Sequence, residues 1–223
     1  MAFADELYKA AAPIWEAQLK HPFVRGLGDG TLPAETFQRW LRQDYVFLID
    51  YARLLAWSAA KADVQDSMRW FAALLHLTLS TEMALHRQYA ARYGLDAAEL
   101  ESETRWPTTQ AYTDFLVRTA AEGDLADAVA VLMPCCWGYV YIAQRLARGR
   151  RDGGEPHEYD EWLAQYSSAD FVQAAEWLKQ ELNRLTHGIG NDKKKRLTEL
   201  FLLSSRYEFL FWDMCWNGEE WPA

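Results

Sequence analysis

The chain has 223 residues, of which 50% are hydrophobic and 14% aromatic, and its 32 acidic and 23 basic residues give a net charge of −9. A chain of this length and apolar content can bury one large core, so we predict a single domain spanning residues 1–223. The negative charge repels phosphate backbones and anionic bilayers, which excludes nucleic acid and membrane surfaces as expected partners.

Cysteine usage favours a reducing compartment. The three cysteines, two of them adjacent, do not form the pattern of a secreted disulfide framework. The first residues lack the basic region and apolar run of a signal peptide. The longest uncharged run, Ala128 to Ala143, has 16 residues, fewer than the roughly 20 that span a bilayer. We therefore expect a cytoplasmic protein.

Glycine and proline cluster between long segments in which apolar residues recur at helical spacing, which predicts an all-α fold. Predicted N-caps are Thr31 or the residue after it, with Pro33 in the first turn, and Asp66. Predicted loops are Phe23–Thr31 and Gly149–Pro156, the second being flexible. The predicted helices span about 4–20, 32–61, 66–93, 108–121, 124–148, 157–165, 169–185 and 191–216.

The least charged helix carries a candidate nucleophile. Cys135 and Tyr139 are four residues apart, so their side chains share one helix face. Pro134 cannot donate to the helix ladder and is predicted to kink or restart the helix. A restart would place Cys135 in a first turn, where free amides lower the pKa of a thiol. A buried structural cysteine is the alternative and, from this stretch alone, the commoner case.

Two acids lie on strongly apolar helix faces. Asp44 shares a face with Trp40 and Tyr51, and Glu208 lies between Tyr207 and Phe211. A carboxylate in such a setting must be paired, hydrogen-bonded or protonated. For Asp44, a structural bond to a tyrosine and a bond to a ligand are equally plausible. Desolvation would raise the pKa of Glu208, which suits proton transfer near neutral pH.

Metal and nucleotide sites find little support. Glu82 and His86 are four apart and could form a supporting pair or bind metal. Helical di-iron proteins instead use a Glu three residues before a His, twice. No histidine of this chain has that neighbour, because the residues three before the five histidines are Gln18, Ala73, Met83, Gly154 and Arg184. A lone histidine ligand for haem remains open from spacing, and nucleotide-binding motifs are absent.

Five short motifs occur in order along nearly the whole chain. They are His21-Pro22-Phe23 with Gly30 and Leu32-Pro33, then Trp40 to Tyr45 (Trp-Leu-Arg-Gln-Asp-Tyr), Pro134-Cys135-x-Trp137-x-Tyr139, Trp162-x-x-x-Tyr166, and Tyr207-Glu208-x-x-Phe211-Trp212. In this combination the chain resembles the TenA/thiaminase II family, in its cysteine-containing branch. The resemblance implies a haem-oxygenase-like all-α bundle, a homotetramer, and no cofactor or metal.

The resemblance also implies an activity in thiamin salvage. The expected reactions are conversion of 4-amino-5-aminomethyl-2-methylpyrimidine to the hydroxymethyl form with ammonia release, and cleavage of thiamin to pyrimidine and thiazole. Cys135 resembles the family's nucleophile, which adds to the pyrimidine ring so that the group on the methylene carbon can leave. Glu208 matches its acid/base residue.

The same resemblance assigns the expected substrate-binding residues. Asp44 matches the carboxylate that holds the ring's amino group and nitrogen, Tyr139 a phenol near a ring nitrogen, Tyr166 the ring that stacks on the substrate, and Tyr112 a phenol near the site. Many members have tyrosine where this chain has Phe47, which removes a hydroxyl but keeps an aromatic face. The alternative function is therefore a pyrimidine-binding or regulatory protein with weak or no hydrolysis. A metal-containing oxidase of the same fold is a third reading.

Overall fold

The computed structural model describes residues 2–149 and 155–222. Within these ranges the chain is helical and contains no strand. The helices are α1 Phe3–Lys20, α2 Pro22–Asp29, α3 Ala34–Lys61, α4 Gln65–Leu77, α5 Met83–Arg92, α6 Ala97–Glu101, α7 Pro107–Glu122, α8 Leu125–Gly149, α9 Asp160–Tyr166, α10 Ala169–Leu185 and α11 Asn191–Asn217, with a π-helical segment, Thr78–Glu82, between α4 and α5. Most of the predicted flexible loop, residues 150–154, lies outside the described residues.

Helix α8 is the central element of the core. It packs against α11, α10, α9, α7 and α3. By length and composition it is apolar enough to cross a membrane, but 83% of its apolar window is buried inside the bundle. Its nearly uncharged sequence therefore fits a helix that is surrounded by other helices.

The prediction of a loop over residues 23–31 was wrong, because α2 occupies most of that stretch. Pro22 begins the helix, and the Nδ1 atom of His21 accepts a hydrogen bond from the N–H of Phe23 at 3.2 Å. Gly26 lies inside the helix, where a Cβ atom would come within 2.9 Å of the Leu32 backbone. Gly30 ends α2 with φ +78°, a left-handed conformation that favours glycine. The glycines thus allow close packing and a turn rather than a loop.

Two predicted helix caps were also wrong. The N–H and the hydroxyl of Thr31 both donate to Asp29, and α3 begins after Pro33 without a side-chain cap. Asp66 lies in the first turn of α4, where it pairs with Arg69 at 2.9 Å. In both cases the polar side chain has a nearer partner than the helix N–H groups it was predicted to bind.

The predicted helix over residues 66–93 is divided by the π-helical segment Thr78–Glu82. Such segments widen the helical turn and often occur at functional sites. The predicted connection over residues 95–107 contains α6, which Asp96 and Glu99 cap reciprocally. Helix α9 begins at Asp160 rather than at residue 157, and the side chain of Ser168 caps α10.

Candidate active site

A cavity of about 220 Å³ opens among α3, the π-helical segment, α8 and the start of α10. It is smaller than the roughly 300–1,000 Å³ sites of drug-sized ligands, and so suits a single-ring compound. Its lining residues include three acids but neither lysine nor arginine. The cavity is lined by residues that include Asp44, Leu48, Tyr51, Leu77, Thr78, Thr81, Glu82, Cys135, Cys136, Tyr139, Gln165, Tyr166, Ser168, Asp170 and Phe171.

Helix α3 supplies Asp44, which is buried and paired with a histidine. Oδ2 of Asp44 lies 2.6 Å from Nε2 of His86, and Nδ1 of His86 lies 2.9 Å from the main-chain carbonyl oxygen of Glu82. A carbonyl oxygen can only accept, so Nδ1 carries a proton. The spacing of Glu82 and His86 was interpreted as a possible pairing of their side chains. His86 instead bonds to the main-chain carbonyl of Glu82. The imidazole instead joins Asp44 to the backbone of the π-helical segment.

The charge of this pair follows from its surroundings. Burial lowers the pKa of His86, but the hydrogen bond and charge of Asp44 and the charge of Glu82 more than offset this, so the pKa is raised overall. The raised pKa favours the protonated ring of His86, which donates through Nε2 to Asp44. One oxygen of Asp44 is engaged by His86, and the other can accept from a ligand.

Helix α8 supplies Cys135, which lies half-buried on the cavity wall. The predicted restart at Pro134 was wrong, because α8 is continuous from Leu125 to Gly149. Cys135 therefore lacks the free amides of a first turn. Burial and then the charge of Glu208 raise the pKa of this thiol well above its usual value. The thiol of Cys135 therefore stays protonated in the unliganded protein. It becomes nucleophilic only if another group takes up its proton as it reacts.

Glu208 of α11 is buried beside a short chain of hydroxyls. Its Oε1 atom lies 2.5 Å from the hydroxyl of Tyr112, which lies 3.0 Å from that of Ser204. Ser204 donates to the carbonyl of Val131 at 2.6 Å, one turn before Cys135. Burial raises the pKa of Glu208 to about 8; the bond to Tyr112 opposes this shift, and the charge of Asp44 adds to it.

The hydroxyl chain can accommodate either protonation state of Glu208. When the carboxyl is protonated it can donate to Tyr112, whose hydroxyl then donates to Ser204, and every contact contains one hydrogen. When Glu208 is ionised, Tyr112 must donate to the carboxylate, and its contact with Ser204 lacks a hydrogen. Burial, which outweighs the opposing bond from Tyr112, thus raises the pKa of Glu208 and favours a carboxyl group that can deliver a proton.

Aromatic rings form much of the remaining wall. Tyr139 and Tyr166 meet edge to face, with ring centroids 4.9 Å apart, and both line the cavity. Trp40 donates through Nε1 to the hydroxyl oxygen of Tyr139 at 3.4 Å, which leaves the hydroxyl proton of Tyr139 available to a ligand. The hydroxyl of Tyr166 donates to Glu82 at 3.2 Å.

The predicted site residues fall into two groups. Four line the cavity: Asp44, Cys135, Tyr139 and Tyr166. The others, Glu208, Tyr112 and Phe47, do not line it. They lie together, since Tyr112 bonds to Glu208 and the rings of Phe47 and Tyr112 are 5.2 Å apart. Cys136, interpreted as a core residue, is buried and also contributes to the cavity wall.

Sequence reasoning missed three contributors to this site. Tyr51 lies two helical turns after Asp44 and lines the same cavity, a spacing that was visible in the sequence. The pairing of His86 with Asp44 joins residues 42 positions apart, which no local pattern reveals. Glu82, the last residue of the π-helical segment, also lines the cavity.

Metal binding finds no further support in the part of the chain that the structure describes. Across residues 2–149 and 155–222, no group of three or more His, Cys, Asp or Glu side chains could hold a metal ion.

Replacing His86 by leucine is expected to destabilise the fold by about 3–5 kcal/mol, because it leaves the buried charge of Asp44 without its partner. Chemical denaturation measures this change. His187→Asn, at an exposed histidine, serves as the control and should change the stability little. Equal stability of the two variants would show that Asp44 does not depend on His86.

Comparisons with known proteins agree with this architecture. The model of the TENA/THI-4/PQQC family matches residues 8–218. An aminopyrimidine aminohydrolase from Halalkalibacterium halodurans is 43% identical over 221 residues, which cover 99% of this chain and 98% of that protein. A TenA homologue from P. horikoshii OT3 superposes with a TM-score of 0.90 at 28% identity, covering 98% of this chain and 100% of the other.

A more distant structure bears on the fold alone. A domain of unknown function with a heme oxygenase-like fold, from Shewanella denitrificans OS217, superposes with a TM-score of 0.74 at 14% identity, covering 96% of this chain and 91% of the other. The predicted haem-oxygenase-like, all-α fold is thereby confirmed. With a family match over nearly its whole length and a relative of 43% identity, the chain belongs to the TENA/THI-4/PQQC family.

Proposed function

We propose that this protein is a cofactor-independent hydrolase of aminopyrimidines in thiamin salvage. Its substrates are 4-amino-5-aminomethyl-2-methylpyrimidine, which it converts to the hydroxymethyl form with release of ammonia, and thiamin, which it cleaves to pyrimidine and thiazole. The observation that carries the proposal is that a thiol and an Asp–His pair line one aromatic cavity, with the carboxyl of Glu208 close enough to raise the pKa of that thiol. The aminopyrimidine aminohydrolase name of the 43% identical relative supports the same activity.

The chemistry of the cavity fits an aminopyrimidine. Asp44 can accept from the amino group and a protonated ring nitrogen together, the geometry that suits a carboxylate facing an amidine-like edge. Tyr139 can donate to a ring nitrogen, and Tyr166 offers a face for stacking. The acids and the absence of lysine and arginine from the lining residues favour a neutral or cationic compound over a phosphorylated one.

The proposed reaction begins with Cys135. Its sulfur adds to the ring carbon next to the one that bears the methylene group, and the adjacent ring nitrogen gains a proton. Neutral Glu208 supplies this proton and receives that of the thiol, so the raised pKa of Cys135 does not require a free thiolate. Addition ends the aromaticity of the ring. The electron pair of the ring's amino group then breaks the bond from the methylene carbon to its leaving group, which departs as ammonia from the protonated aminomethyl compound or as the thiazole from thiamin, and an exocyclic methylene remains.

Water completes the reaction. It adds to the methylene carbon and loses a proton. The ring nitrogen then gives its proton to Glu208 while Glu208 returns one to the departing sulfur, so that Cys135 leaves as a thiol and the ring becomes aromatic again. The aminomethyl compound and one water thus give the hydroxymethyl compound and ammonia. A carboxyl group with a pKa of about 8 suits these steps because it can both give and take a proton near neutral pH.

We further propose that the enzyme is a homotetramer and is cytoplasmic.

Purified protein incubated with the aminomethylpyrimidine is expected to release one ammonia for each hydroxymethylpyrimidine formed, which a coupled ammonia assay and chromatography measure. Product formation without added metal and in the presence of a chelator would argue against the oxidase reading. Tight pyrimidine binding with no ammonia release would instead favour the binding or regulatory protein. In that case Phe47→Tyr tests whether the missing hydroxyl is the reason.

A further inference from the structure

We propose that Glu82 binds the positively charged leaving group of the substrate and so determines which substituents the enzyme expels. This inference rests on the proposed function, which requires an aminopyrimidine in the cavity. It assigns a specificity-determining role to a carboxyl group that the reaction above does not use.

Glu82 is intermediate in exposure between the buried and the exposed side chains that line the cavity. Asp44 and Tyr139 are only 5% and 6% exposed. Leu77 and Asp170 are exposed, and Glu82 is half-buried. A ring held by Asp44 therefore has Glu82 on the side from which a substituent extends toward solvent.

The connectivity of the substrate leads to the same position. The methylene group is attached to the ring carbon that lies between the amino-bearing carbon and the carbon that Cys135 attacks. A residue that contacts the substituent must therefore lie near both Asp44 and Cys135. Glu82 meets this requirement, because it lines the same cavity as Asp44 and Cys135 and its carboxyl accepts from Tyr166, which also lines that cavity.

The carboxyl group is held with one oxygen available. The hydroxyl of Tyr166 donates to Oε1 at 3.2 Å, and the main-chain carbonyl of Glu82 accepts from His86 at 2.9 Å. Within the described chain, no group donates to Oε2. The π-helical segment thus fixes the backbone, Tyr166 fixes the carboxyl, and the second oxygen can accept from an ammonium group.

None of the described residues that line the cavity with Glu82 is a lysine or an arginine that could pair with its carboxylate. Asp44 already pairs with His86, and Tyr166 and the thiols of Cys135 and Cys136 are neutral. Burial raises the pKa of Glu82 to about 7; His86 opposes the shift, and Asp44 adds to it. A bound cation favours the ionised carboxylate, whereas a neutral hydroxyl gives no such gain. The site should therefore distinguish a cationic substituent from a neutral one.

The test compares two ligands that differ only in this substituent. In a Cys135→Ser background, which prevents turnover, calorimetry measures the Kd of the aminomethyl and the hydroxymethyl compounds with Glu82 intact and with Glu82→Gln. We expect Glu82→Gln to weaken the aminomethyl compound by about 10-fold or more, the effect typical of a lost charge-assisted hydrogen bond. The hydroxymethyl compound should change by less than about 3-fold.

Two further variants complete the design. Asp170→Asn removes another acid that lines the cavity, and it should not change the ratio of the two Kd values if the effect belongs to Glu82 rather than to general charge. Glu82→Asp keeps the charge and should keep part of the discrimination, and it replaces the glutamine variant if that protein does not fold. Equal weakening of both ligands, or no change in either, overturns the inference while leaving the hydrolase intact. Binding of neither ligand with Glu82 intact overturns both proposals.

Discussion

Replacing Cys135 by serine is expected to lower kcat by at least about 10³-fold while leaving pyrimidine affinity within a few-fold of wild type. A serine hydroxyl fits the same space, but its proton is held too tightly for it to add to the ring. Steady-state ammonia release measures the rate, and calorimetry with the hydroxymethyl product measures the affinity.

Cys215→Ser is the matched control, since Cys215 is a buried thiol that does not line the cavity. It should retain most of the wild-type activity. If Cys135→Ser were equally active, the proposed nucleophilic role of Cys135 would be wrong, and direct attack by water would replace it.

The second large effect is expected for Glu208→Gln, which should lower kcat by about 10²–10⁴-fold, the usual contribution of general acid–base catalysis. Because the reaction uses the neutral carboxyl, wild-type kcat should fall as pH rises through about 8, the pKa to which burial raises Glu208. The glutamine variant should lack that fall.

A buried glutamate elsewhere separates chemistry from folding. Glu181 is buried and pairs with Arg184 at 2.8 Å, so Glu181→Gln should lose stability but keep the pH dependence of kcat. An unchanged fall in kcat near pH 8 in Glu208→Gln would show that another group titrates there.

The raised pKa of Glu208 also fixes how stability changes with pH. The group takes up a proton near pH 8 in the folded chain and near 4.5 when unfolded, so between these values the folded state holds the extra proton. The contribution of Glu208 is complete below about pH 4.5 and falls, on the order of 1 kcal/mol for each pH unit, until pH 8. Chemical denaturation should show a smaller decline for Glu208→Gln.

The long helices could be predicted because apolar residues recur at helical spacing over many turns, as in α8 and α11. The ends of the helices could not be predicted, because the polar side chains near them bind other groups than the helix N–H groups. Thr31 turns to Asp29 and Asp66 to Arg69. The helix α2 was missed because Gly26 resembles a turn signal in sequence, whereas here it lets the backbone of Leu32 approach.

The candidate site, like the helices, could be predicted only in part from the sequence. Asp44, Cys135 and Glu208 could be found because a carboxyl or thiol on an apolar helix face requires an explanation. The state of Cys135 could not be predicted, because burial within the bundle, and then the charges of carboxyl groups from other helices, raise the pKa of its thiol. Nor could the pairing of Asp44 with His86, which forms only when α3 and α5 pack together.

A crystal structure with hydroxymethylpyrimidine bound tests the central claim most directly. We expect the ring in this cavity, with its amino edge on Asp44 and the sulfur of Cys135 about 3–3.5 Å from the ring carbon next to the one bearing the methylene group. A ring bound outside the cavity, or one whose attacked carbon faces away from Cys135, would contradict the proposed reaction.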